Sequence, residues 1–143
     1  MLFKRISRNS AETAFVVVKN VSGSTITSGY SCVFDVGASA DGVRVTQASA
    51  TDLQAYAGVA DADIANNDFG LVQVYGYRSS VYIYSSTGTS AAGDELITVA
   101  AEWGLTPQAT SADAKSWGFL CAAVSASSSS QFHTTAAAFI RAL

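Results

Sequence analysis

A chain of 143 residues lies near the usual length of one domain, roughly 100 to 150 residues, and can bury one core. It is 49% hydrophobic and only 13% charged, against about 25% charged in an ordinary globular protein, a composition too apolar for intrinsic disorder. A net charge of −3 offers nucleic acid no whole-chain attraction, and no segment approaches the roughly 18 apolar residues of a membrane-spanning helix.

The first nineteen residues hold Lys4, Arg5, Arg8 and Lys19, opposed there only by Glu12. Residues 1–12 therefore read as a flexible basic arm ahead of a single β domain over residues 13–143, and Lys4, Arg5 and Arg8 are the candidates for docking on an acidic partner surface. The apolar run at 14–18 is shorter than a secretory core of 7 to 15 residues and stops at Lys19, so synthesis and assembly in the cytoplasm are expected.

Residues 15–19 are β-branched and apolar and end in the turn formers Asn20 to Ser24, which predicts a first strand and turn. After Ser28-Gly29, the residues Tyr30, Cys32, Phe34 and Val36 alternate with Ser31, Val33 and Asp35, the period of a strand with one face on a core. Residues 43–46 form a short candidate strand. Residues 56–60 form another, in which Gly58 permits a bulge or a close backbone approach. Residues 69–78 and 81–84 share aromatic and β-branched chemistry on either side of Ser79-Ser80, and read as a hairpin or bent strand pair. Residues 96–101 form a further apolar run, Pro107 is expected in a connection where its missing donor is harmless, and residues 117–125 read as strand. Residues 127–130 read as loop, and residues 134–143 close the chain with Phe139 and Leu143 as core or interface anchors. Seven or eight short strands without a long helical period predict an all-β fold, a small barrel or a jelly-roll-like sandwich.

Chemical constellations are sparse. The only histidine, His133, lies in a Ser/Thr-rich stretch with no nucleophile-elbow signature, and adjacent Asp94 and Glu95 would point to opposite faces of a strand, with Glu102 as the other nearby acid. Asp61, Asp63, Asn66, Asn67 and Asp68 place five oxygen-bearing side chains within eight residues, but without the glycine and glutamate of an EF-hand they read as a solvated turn. Cys32 and Cys121 lack metal-site spacing and read as small hydrophobes, with their pairing left open. No glycine-rich loop leads into a helix, so no cofactor or metal is expected. Tyr75 and Tyr77 share parity, as do Tyr82 and Tyr84, so each pair should lie on a common face and could anchor a protein interface or stack on sugars.

A resemblance is carried by Lys19-Asn20-Val21-Ser22-Gly23, by residues 26–29, by Gly58-Val59-Ala60, by the run from Phe69 to Gly76, and by Ala92-Gly93-Asp94-Glu95-Leu96. This order, spanning residues 15–143, is similar to head accessory proteins of tailed bacteriophages, including decoration or cement proteins. The resemblance implies a non-enzymatic virion structural protein on the capsid exterior, binding the major capsid protein, commonly as a homotrimer, and stabilising the head. Sparse surface charge agrees with a surface partly covered by other subunits. The alternative reading is a receptor- or glycan-binding module of a tail fibre or surface appendage, which the tyrosines would serve.

Overall fold

The computed structural model describes residues 12–37, 41–85, 89–108, 116–125 and 132–142, which contain eleven strands and no helix. These are β1 (Ala14–Asn20), β2 (Ser31–Phe34), β3 (Arg44–Thr46), β4 (Tyr56–Ala60), β5 (Phe69–Ser85), β6 (Thr89–Ser90), β7 (Glu95–Thr98), β8 (Leu105–Gln108), β9 (Gly118–Leu120), β10 (Val124–Ser125) and β11 (Phe132–Arg141). Nine of them form one mixed sheet in the order β1-β3-β2-β4-β5-β11-β9-β7-β8, while β6 and β10 pair separately. Further pairings of β1 and β8 with β5 double the sheet back on itself, so it is sandwich-like rather than a closed barrel. The fold is all-β, as the short apolar runs and turn signals predict.

The 17-residue β5 organises this arrangement, because its first half pairs with β1 and β4 and its second half with β11. In the first half Val72 and Val74 are buried and join a core with Val18, Ile26, Val45 and Ile64. Past a register shift between Ala136 and Ala138 of β11, the buried parity of β5 changes, and Val81 and Ile83 enter a second core with Leu96, Leu105, Leu120 and Ile140. One strand thus supplies both cores by changing the parity that faces inward, with each fully buried aliphatic side chain contributing about 1.5–3 kcal/mol over its exposed state.

β4 feeds both cores for a related reason. All five of its residues are buried, Tyr56 and Val59 in the second core and Ala57 and Ala60 in the first. This spacing departs from simple alternation because Gly58 adopts φ 142° opposite a register shift between Cys32 and Val33. A Cβ at Gly58 would sit 2.5 Å from the Gln73 carbonyl oxygen, so the close approach expected there is realised. Gly76, at φ 106°, is similarly required, since a Cβ would collide with the Glu12 carbonyl. The buried Gln73 side chain turns back to donate its amide to the carbonyls of Tyr75, Gly76 and Tyr77 at 3.1–3.2 Å.

Several sequence expectations are corrected. Residues 69–85 are one continuous strand, because Ser79 and Ser80 lie at the register shift against β11 rather than in a hairpin turn. The alternation at residues 30–36 does not hold one face on a core: β2 ends at Phe34, the bulge buries both Cys32 and Val33, and Val36 is 50% exposed. Pro107 is inside β8, opposite Leu96, where β8 has its ladder with β7 but its only pairing with β5 is at Leu105. Its missing donor is therefore tolerated on a locally unpaired edge. Residues 117–125 split into β9 and β10 around Cys121 to Ala123.

Gly58→Ala combines a disfavoured φ with overpacking against backbone, and a loss of about 2–4 kcal/mol is expected, seen as a fall in Tm of about 10 °C by thermal denaturation. Tyr56→Phe should instead be neutral or stabilising by up to about 1 kcal/mol, because the Tyr56 hydroxyl is buried without a hydrogen-bond partner. Both cysteines are free thiols, Cys32 buried and Cys121 exposed, and burial pushes the Cys32 thiol up to about 12. A thiol reagent at pH 8 should therefore titrate one group per folded chain, at Cys121, and two after denaturation.

Candidate functional site: an outward apolar face

The face that looks away from the first core is apolar too. On β1, Phe15 and Val17 are 40% and 60% exposed, and on β5, Phe69 and Leu71 are 65% and 44% exposed. Val17 lies opposite Leu71 and Lys19 opposite Phe69, with the Lys19 ammonium 5.8 Å from the Phe69 ring centre. Facing partners in an antiparallel ladder share a face, so these side chains form one patch.

The patch continues along β5 through Tyr75 and Tyr77, whose partners on β11 are Arg141 and Phe139. Gly76 and Ile140, paired between them, are buried, which fixes both tyrosines outward. Tyr75 meets Phe139 edge-on at 5.2 Å, and Phe139 stacks on Phe119 of β9 at 5.3 Å. The far corner is closed by Glu95 and Arg141, 3.7 Å apart. An apolar row thus crosses β1, β5, β11 and β9, with Lys19 at one end and the Glu95–Arg141 pair flanking it on the other side, Arg141 opposite Tyr75.

Tyr82 and Tyr84, beyond the register shift, belong to a different cluster. Trp103 stacks on Tyr30 at 5.5 Å, Tyr30 meets Tyr82 at 4.8 Å, and His133 packs against Tyr82 at 5.4 Å and Tyr84 at 5.1 Å. The Glu102 carboxylate is 4.0 Å from His133 Nδ1. Burial, with Tyr30 and Glu102 close by, raises the Tyr82 hydroxyl above its ordinary value. In this row each ring packs against at least one other, and Tyr30, Tyr82 and Tyr84 are half-buried. The four tyrosines therefore form two pairs, each sharing a face as their parity predicts, but in two separate clusters.

The remaining candidates are occupied by structural work. Asp61 accepts from Arg78 at 3.0 Å, Asp63 caps the Ser28 amide at 2.8 Å, and Asn66 accepts from the Gly23 amide at 3.0 Å. Arg78 also donates to the Ala60 and Ser80 carbonyls, fastening the irregular part of β5 to the end of β4. Among the described residues no three or more His, Cys, Asp or Glu groups gather as metal ligands. Asp94 closes its turn through the Ala91 amide, while Glu95 pairs with Arg141. The docking candidates Lys4, Arg5 and Arg8 lie outside the described residues.

Of the outward row, the sequence reading identifies Tyr75, Tyr77 and Phe139 as interface candidates and misses Phe15, Val17, Phe69, Leu71 and Phe119. A signal is present, since residues 14–18 are apolar at both parities, the pattern of a strand with both faces destined for cover.

No protein-family profile matches the chain, and no curated protein matches it. Among solved structures, the N base of head fibre gp8.5 of bacteriophage phi29 aligns with 92% of this chain and 96% of its own, with a TM-score of 0.54 at 14% sequence identity. At that identity the likeness is one of fold, and it extends over nearly the whole of both chains.

Proposed function

We propose that the protein is a non-enzymatic structural component of a tailed-phage virion that sits on the capsid exterior and stabilises the head. The observation that carries this reading is the likeness of fold, over almost the full length of both chains, to the base of a phage head fibre. The sequence resemblance to head accessory proteins leads to the same class independently. The outward apolar row adds physical support, because a protein that spends its life in an assembly can leave a face uncovered in the single chain.

Function in this reading is attachment rather than turnover. A homo-oligomer, a trimer by analogy with accessory proteins, engages several copies of the major capsid protein at once, so modest single contacts add to stable attachment. Lys4, Arg5 and Arg8 are assigned to docking against acidic shell surface, an electrostatic contact that weakens as salt rises.

Co-sedimentation of the purified protein with mature capsids, quantified against the major capsid protein, tests the proposal. Saturable binding at a fixed ratio to the lattice is expected, and deletion of residues 1–10 should weaken it by about tenfold or more while leaving thermal stability unchanged. Absence of binding to intact heads would overturn the capsid assignment.

A further inference from the structure

We propose that the outward row of Val17, Phe69, Leu71, Tyr75, Phe139 and Phe119 is the surface through which copies of this chain associate with one another. The inference deepens the virion reading by naming the self-association surface, and it rests on that reading for taking self-association as part of the protein's work.

Three observations select another copy as the occupant. The first is area. The fractional exposures of the row's large side chains correspond to roughly 600 Å² of apolar surface, on the order of 200 Å² being available from each aromatic ring. With a polar rim this reaches the roughly 800 Å² per partner of a stable protein interface.

The second is topology. Every strand of the nine-stranded sheet has a neighbour on each side, since β1 and β8, the ends of the strand order, both return to β5. β1 thus has little free edge to offer another strand, and on β8 the stretch past Leu105 that stays open is short and carries Pro107, which leaves the apolar face as the larger surface for association.

The third is charge. At the Phe69 end, Lys19 has no ion pair among the described residues and lies over the Phe69 ring. At the Phe119 end, Glu95 is held only loosely by Arg141, at 3.7 Å. The unpaired Lys19 of one copy therefore has a partly exposed carboxylate, Glu95, to meet on the next copy, beside the Arg141 that already holds it at 3.7 Å.

Sedimentation velocity of the isolated full chain, over a concentration series without capsids, tests this. The unaltered protein should associate reversibly, and Leu71→Lys, which places a charge in the middle of the row, should weaken association by at least about 30-fold. Phe119→Ser tests the far end independently and should weaken it in the same direction. Both changes are at outward positions, so circular dichroism and Tm should stay near those of the unaltered protein. Tyr84→Ser, in the other aromatic cluster, should leave association unchanged.

A chain that stays monomeric at about 100 µM, well above the affinity range of functional oligomers, overturns the proposal. So does association that survives both folded variants. Because capsids are absent, these outcomes are distinct from failure of the capsid reading, which would appear as an associated protein that does not co-sediment with heads.

Discussion

The structure depends on one constraint, that β5 must serve two hydrophobic cores in a single unbroken strand. Strict alternation would hold one parity inward from end to end. Instead the register shift against β11 changes the buried parity from Val72 and Val74 to Val81 and Ile83, and Arg78 fastens the irregular stretch to the carbonyls of Ala60 and Ser80. Gly58 and Gly76 follow from the same demand, as each lets neighbouring backbone approach more closely than a Cβ would allow. The outward face of β5 is a further consequence. Phe69, Leu71, Tyr75 and Tyr77 occupy the parity that the first core does not use.

That consequence separates two kinds of aromatic surface. Tyr82 and Tyr84 pack in a row of rings with Tyr30, Trp103 and His133 and are half-buried. In the row from Phe69 to Phe119, Tyr75, Phe139 and Phe119 pack on one another, yet Val17, Phe69, Leu71 and Tyr77 stay more than 40% exposed. The charges of this row, Lys19 and the Glu95–Arg141 pair, flank the stretch through Val17, Leu71 and Phe139, so covering that stretch brings apolar area together, the condition under which a face contributes to assembly rather than to a small-molecule site. A virion component fits this physics, because attachment through many copies needs broad, modest contacts and no built cleft.

Much of the fold is legible in the sequence where local chemistry and tertiary context agree. Short β-branched runs at residues 15–19, 56–60 and 69–84, punctuated by Asn20 to Ser24 and by Gly58, give the all-β class and several strands nearly as observed. Legibility fails where pairing partners decide. Ser79-Ser80 has turn composition, yet β11 extends alongside it and holds it in the ladder. Cys32 and Val33 look like opposite faces but are both buried, because the bulge against Gly58 departs from simple alternation. The outward row was half visible for the same reason: shared parity places Tyr75 beside Tyr77, but only the registers bring Val17 to Leu71 and Phe139 to Tyr77.

The proposed arrangement buries this outward face between copies while the assembly sits on a capsid. A cryo-electron-microscopy reconstruction of heads carrying the protein addresses both parts at once. Density is expected on the shell exterior at repeated lattice positions, with Leu71 and Phe119 of each copy covered by a neighbouring copy. Density in which those side chains face open solvent, or heads that carry no such density at saturating protein, would contradict it.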